Sequence, residues 1–143
     1  MDAIFQGLIS AKSGVNLFSI RSDLAKWLAD LACLGNTLMI TSTNRDWPKG
    51  SLHTLNPAQG VDIGMVNGVR YSWGDREGGS TYERATAPMI GLAFSQIPAS
   101  GAQVIGPNFY WKKNVRLLTQ KDFRDWNFTT WKIHLTHVHL GVR

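Results

Sequence analysis

The chain has 143 residues, 43% hydrophobic and 17% charged, a balance that fits one globular domain over residues 1–143 and excludes a disordered one. Cys33 is the sole cysteine, which excludes an intrachain disulfide and a thiolate metal cluster, so any metal must rest on histidine and carboxylate. The formal charge of +5 is unevenly placed: residues 1–100 carry eight Lys/Arg and eight Asp/Glu, and residues 101–143 carry seven against two.

A cationic C-terminal third suits a polyanionic partner, or serves only as a solvated, solubilising surface. The N-terminal Met-Asp-Ala-Ile-Phe-Gln-Gly lacks the basic start and long apolar run of a secretory signal. No stretch reaches the ~20 apolar residues of a membrane span. The expectation is a protein that stays in the cytoplasm or leaves by another route.

The first clear element is a helix over residues 22–34. Leu24, Trp27, Leu28, Leu31 and Leu34 share one face, Ser22 offers an N-cap, and Gly35-Asn36 offers the left-handed stop. Residues 37–43 read as a short β-branched strand, and residues 44–57 as a loop that carries Arg45, Ser51 and His53. Residues 61–65 and 69–73 read as two strands joined by Asn67-Gly68, a dipeptide suited to a tight hairpin turn. Residues 74–80 form a polar loop, and a helix is expected around 89–97. Residues 102–119 suggest a strand and a basic turn, and residues 129–133 and 137–142 a final strand or strand pair. No repeat or linker interrupts the chain.

Three of the four histidines fall within six residues, His134, His137 and His139, and the fourth is His53. Alternation along a strand puts His137 and His139 on one face and His134 on the other, so His134 can join them only if the chain bends. Asp62 lies between Val61 and Ile63, where an unpaired carboxylate would be costly to bury; a metal is one obvious partner. Imidazole and carboxylate are usual zinc ligands, and an open site needs three of them. His53, Asp62 and His139 are therefore the candidate ligands.

Arg45, Ser51-Leu-His53, Gly60-Val61-Asp62-Ile63 and His137-Val-His139 together resemble the zinc peptidases of the lysostaphin, D-alanyl-D-alanine peptidase and hedgehog superfamily. These cut peptides of bacterial cell walls, including as phage endolysins. The likeness covers residues 37–65 and 131–142. It implies an α+β fold with a small, mainly antiparallel sheet backed by one or two helices. It also implies Zn2+ on His53, Asp62 and His139, with His137 as the catalytic histidine. Arg45 and Ser51 match positions that hold substrate or order the loop, and His134 matches a histidine found in murein endopeptidases. The implied partner is a peptidoglycan peptide rather than nucleic acid, with a monomer reaching the wall by phage-type release.

The chain departs from the family pattern in two places. The family sets its aspartate seven positions after the histidine, whereas nine separate His53 from Asp62; either the loop holds an insertion near Asn56-Pro57, or Leu55 takes the ligand position and the site is dead. The acidic residue many members carry three positions before the last histidine is here Thr136, which leaves proton transfer to His137. The alternative is a non-catalytic module that binds wall or nucleic acid. His-Val-His also fits rolling-circle replication initiators, but no tyrosine nucleophile follows His139.

Overall fold

A computed structural model of the chain describes residues 7–43, 51–72, 81–114 and 116–143. The strands are β1 (Ile9–Ala11), β2 (Leu38–Ser42), β3 (Gly60–Val66), β4 (Val69–Arg70), β5 (Gly101–Gly106), β6 (Phe109–Lys112), β7 (Arg116–Thr119) and β8 (Val138–Val142). The helices are α1 (Ser22–Cys33), α2 (Thr81–Ser95), α3 (Gln120–Trp126) and α4 (Phe128–Ile133). One sheet contains all the described strands in the order β1-β2-β3-β8-β5-β6-β7, with β4 paired to the far end of β3. The fold is α+β, and the sheet is mixed. Only the short β1–β2 pair is parallel; the other pairs are antiparallel, as expected.

The period-two alternation of the central strands decides what each face does. Leu38, Ile40, Val61, Ile63, Val104, Val138, Leu140 and Val142 point to one side and are buried there. Leu24, Trp27, Leu28 and Leu31 of α1, with Met89, Ile90 and Ala93 of α2, complete that core. At roughly 25 cal/mol per Å² of apolar surface removed from water, this layer is the main stabilising term of the fold. On the opposite face Phe123 of α3 and Trp131 of α4, with Leu135, pack on Ile105 and Tyr110, and Leu52 lies against Gly60 and Gly141. The rest of that face carries the polar side chains of β3, β5 and β8.

Several boundaries match the sequence pattern. Helix α1 stops where Gly35 takes a positive φ of 105°, and Asn67 and Gly68 take φ values of 52° and 78°, the left-handed pair that a tight β3–β4 turn requires. Its N-cap is Arg21 rather than Ser22, and Arg21 turns its guanidinium onto Asp23. Helix α2 is longer than expected and begins at Thr81.

Residues 129–133, expected with 137–142 to make a final strand or strand pair, are helical instead. Asn127 caps α4 by accepting a hydrogen bond from the Thr130 amide at 3.0 Å, and Trp131 is buried with its Nε1–H donated to the Pro107 carbonyl at 2.9 Å. Capping and packing override local propensity there. Residues 102–119 hold three strands rather than one. Strand β8 begins at Val138, so His137 lies in the turn just before it.

Candidate metal centre

Asp62 on β3 and His139 on β8 are directly opposed across the antiparallel pair, and both point away from the core. His139 Nδ1 lies 3.0 Å from Asp62 Oδ1. The third member arrives from outside the sheet. Ser51 caps a 3-10 turn, Leu52–Thr54, by accepting the His53 amide at 3.3 Å, and this turn holds the His53 ring against β3 and β8. His53 Nε2 then lies 3.1 Å from Asp62 Oδ1 and 3.1 Å from His139 Nδ1. All three side chains are buried.

The remaining ring nitrogens fix the orientation of the two imidazoles. His53 Nδ1 is 2.6 Å from the Thr43 carbonyl, which can only accept, so Nδ1 carries the proton and Nε2 turns a lone pair inward. His139 Nε2 is 2.8 Å from the side-chain oxygen of Gln103 on β5, which likewise directs the Nδ1 lone pair inward. Two imidazole lone pairs and a carboxylate oxygen therefore converge on one point. Their separations approach the roughly 3.3 Å between ligands that bonds of 2.0–2.1 Å at tetrahedral angles produce. The buried His53–Asp62–His139 group can hold a metal ion.

The electrostatics agree with that use. Burial works against ionisation of Asp62, but the hydrogen bonds that His139 and His53 donate when their inward nitrogens carry a proton, and the positive field of His137, outweigh it. The carboxyl is held well below the usual carboxylate range. Room for the rings comes from two glycines that face each other across β3 and β8, Gly60 and Gly141. A Cβ at Gly60 would stand 3.0 Å from His139 Cε1, and one at Gly141 would stand 3.2 Å from His139 Nε2.

The other candidate residues divide clearly. His137 joins the cluster at its rim: its Nε2 is 3.6 Å from Asp62 Oδ1, and its Nδ1 is 3.1 Å from Thr136 Oγ1. His134 also reaches the cavity, because α4 ends at His134 and the chain turns before β8, which supplies the required bend. Its Nδ1 donates to the Thr130 carbonyl at 2.7 Å, and its ring lies 4.9 Å from that of His137. Burial foremost, with the nearby positive field of His137, pushes the His134 pKa down to about 3, so this imidazole stays neutral. Ser51 lines the cavity, which measures about 220 Å³ and contains all four histidines. Arg45 lies outside the described residues. Leu55 is 41% exposed, and His53 rather than Leu55 stands beside Asp62 and His139, with residues 54–59 carrying the chain from the 3-10 turn to β3.

Gln103 and the Thr43 carbonyl, which orient the ligands, had no counterpart in the sequence motifs. A backbone carbonyl leaves no residue signature, and Gln103 becomes relevant only through the β5–β8 register. No family model, curated protein or solved structure matches the chain.

Proposed function

We propose that this chain is a zinc-dependent peptidase that hydrolyses peptides of bacterial peptidoglycan, of the lysin or wall-remodelling type. The observation that supports this most is the convergence of His53 Nε2, Asp62 Oδ1 and His139 Nδ1, 3.0–3.1 Å apart, with both imidazoles locked from behind. Two histidines and one carboxylate suit zinc, with a position left open. A bound ion of this kind supplies Lewis acidity toward a carbonyl and acidifies a water toward a pKa of ~7.

The protein's own groups would do the rest. The Thr43 carbonyl and the Gln103 side-chain oxygen would accept the ring N–H at His53 Nδ1 and His139 Nε2, leaving the opposite nitrogens to hold the ion. His137 stands on the open side of the cluster, half-buried and within 3.6 Å of the Asp62 oxygen, where it can accept or donate a proton at a reacting carbonyl. The Thr136 hydroxyl at His137 Nδ1 fixes its ring. His134 beside it forms a neutral wall. The motif likeness to the lysostaphin and D-alanyl-D-alanine peptidase superfamily supports the substrate class, and Arg45 and Ser51 are the proposed substrate-holding positions.

Zinc content and release of fragments from purified peptidoglycan, with and without chelator, test this reading. One equivalent of zinc and chelator-sensitive release are expected. His137→Ala should keep the metal and lose activity by roughly a hundredfold or more, the usual scale for removing a general acid–base. Hydrolysis that survives complete chelation overturns the mechanism, and wall binding without zinc favours a non-catalytic module.

A further inference from the structure

A second cavity of about 530 Å³ opens from the metal cluster across β2 and β3, and the two share Asp62 and His137. Its floor is Met39, Thr41 and Gly64. The floor is flat for a physical reason: a Cβ at Gly64 would stand 2.4 Å from Thr41 Cγ2, so only glycine fits while Thr41 donates its hydroxyl to the Asp62 carbonyl at 3.2 Å. Tyr71 forms one wall. Two cations border the groove, Lys12 just beyond β1 and Arg70 at the end of β4. Both are exposed, and neither forms an ion pair among the described residues. Among the described residues Asp62 is the one acid lining the groove, and its charge is directed into the histidine cluster.

We infer that this groove is a specificity subsite, and that Lys12 and Arg70 select a peptide carrying a carboxylate on the segment next to the bond presented to His137 and Asp62. The inference rests on the proposed peptidase reading and names the substrate class: acidic rather than neutral peptides. A chain lying on Met39, Thr41 and Gly64 would meet the cluster at one end. Its carboxylate would lie between the groove's two cationic borders, Lys12 beside β2 and Arg70 beside β3, neither of them ion-paired among the described residues. The ammonium offers a point charge and the guanidinium a two-pronged donor, so a planar carboxylate is the matching anion.

The test compares binding with cleavage on the full zinc-loaded chain. Two acetylated tripeptide amides serve as probes, identical except for one central Glu or Gln, and Kd is measured by calorimetry. The Glu peptide should bind about tenfold more tightly at low salt, with the preference shrinking as salt screens the exposed charges. The Lys12→Gln/Arg70→Gln double variant should lose the preference while keeping its zinc and its binding of the Gln peptide. Equal affinities in the unaltered protein, no binding of the Glu peptide at millimolar concentration, or a preference that persists in the double variant overturns the inference. A charge preference without hydrolysis sustains the subsite and counts against the peptidase. Hydrolysis of both peptides with equal KM does the reverse.

Discussion

Asp62 and His139 belong to strands from distant parts of the chain, yet the β3–β8 register makes them direct partners, with Oδ1 and Nδ1 3.0 Å apart. The same ladder continues through Val61–Leu140 and Gly60–Gly141, and the buried side of these strands is fixed against α1 and α2. A one-residue slip would turn every core residue to the outer face, so the hydrophobic core itself enforces the ligand geometry. Core packing thus preorganises Asp62 and His139, and the Ser51-capped 3-10 turn brings His53 to them.

Removing a ligand should therefore abolish metal binding without unfolding the protein. His53→Ala, Asp62→Asn and His139→Ala should each lower bound metal from about one equivalent to a small fraction, while His134→Ala should not. Elemental analysis after dialysis reads this directly. In the unaltered protein, free metal at 100-fold over its Kd should add about 2.7 kcal/mol to the unfolding free energy. That increment should vanish in all three ligand variants. A ligand variant that still gains it would place the metal elsewhere.

The groups behind the ligands give a graded effect. Gln103→Leu removes the acceptor 2.8 Å from His139 Nε2 and frees the ring to change tautomer or rotate. Metal affinity should fall about 10–100-fold, the range found when such partners are removed, with the fold preserved. Competition against a chelator of known affinity measures it. Gln103→Glu, which keeps an acceptor and adds charge, should restore most of the affinity.

The residues that form the cluster stood out in the sequence because their chemistry is unusual: an aspartate in an apolar strand and a His-Val-His pair near the end. Alternation put His137 and His139 on one face, and both lie beside Asp62 although His137 precedes β8; Asn67-Gly68 marked the β3–β4 hairpin. Other features depend on distant contacts. The parallel β1–β2 pair needs Ile9 to meet Leu38, which no local pattern encodes. Helix α4 forms from residues that favour strands because Trp131 packs under Pro107 and Phe123. The bend that admits His134 follows from that helix ending, and a strand reading of the same residues conceals it.

Gly60 gives a prediction that separates site from scaffold. A Cβ there would press on His139 Cε1 at 3.0 Å and on Leu52 Cβ at 3.1 Å, with His53 Cδ2 at 3.5 Å. Gly60→Ala should cost about 1–3 kcal/mol through overpacking and, because the strain falls on two ligands, weaken metal binding by roughly tenfold or more. Gly91→Ala is the contrast: it lies within α2 and its Cβ would meet nothing within 4 Å. That change should stabilise the protein by up to about 1 kcal/mol and leave metal affinity unaltered. Denaturant unfolding with parallel metal titration distinguishes the two.

The acid response of the fold should depend on Asp23. Its Oδ1 accepts from Arg21 Nε at 2.7 Å and from the Leu24 amide at 2.9 Å, and its Oδ2 accepts from Ser100 Oγ, which ties the start of α1 to the segment before β5. The Arg21 hydrogen bonds, against the opposing effect of burial, hold this carboxyl well below the usual carboxylate range. A carboxyl whose folded pKa is depressed contributes stability above its unfolded value of about 3.9 and loses it as pH falls toward the folded value. Asp23→Asn should therefore cost about 1–2 kcal/mol at neutral pH, where it removes charge-assisted hydrogen bonds. The gap between the variant and the unaltered protein should narrow steadily below about pH 4. Urea unfolding at a series of pH values measures that gap. A difference that stays constant into strong acid would show that the ionised carboxylate is not what holds α1 to the β5 segment.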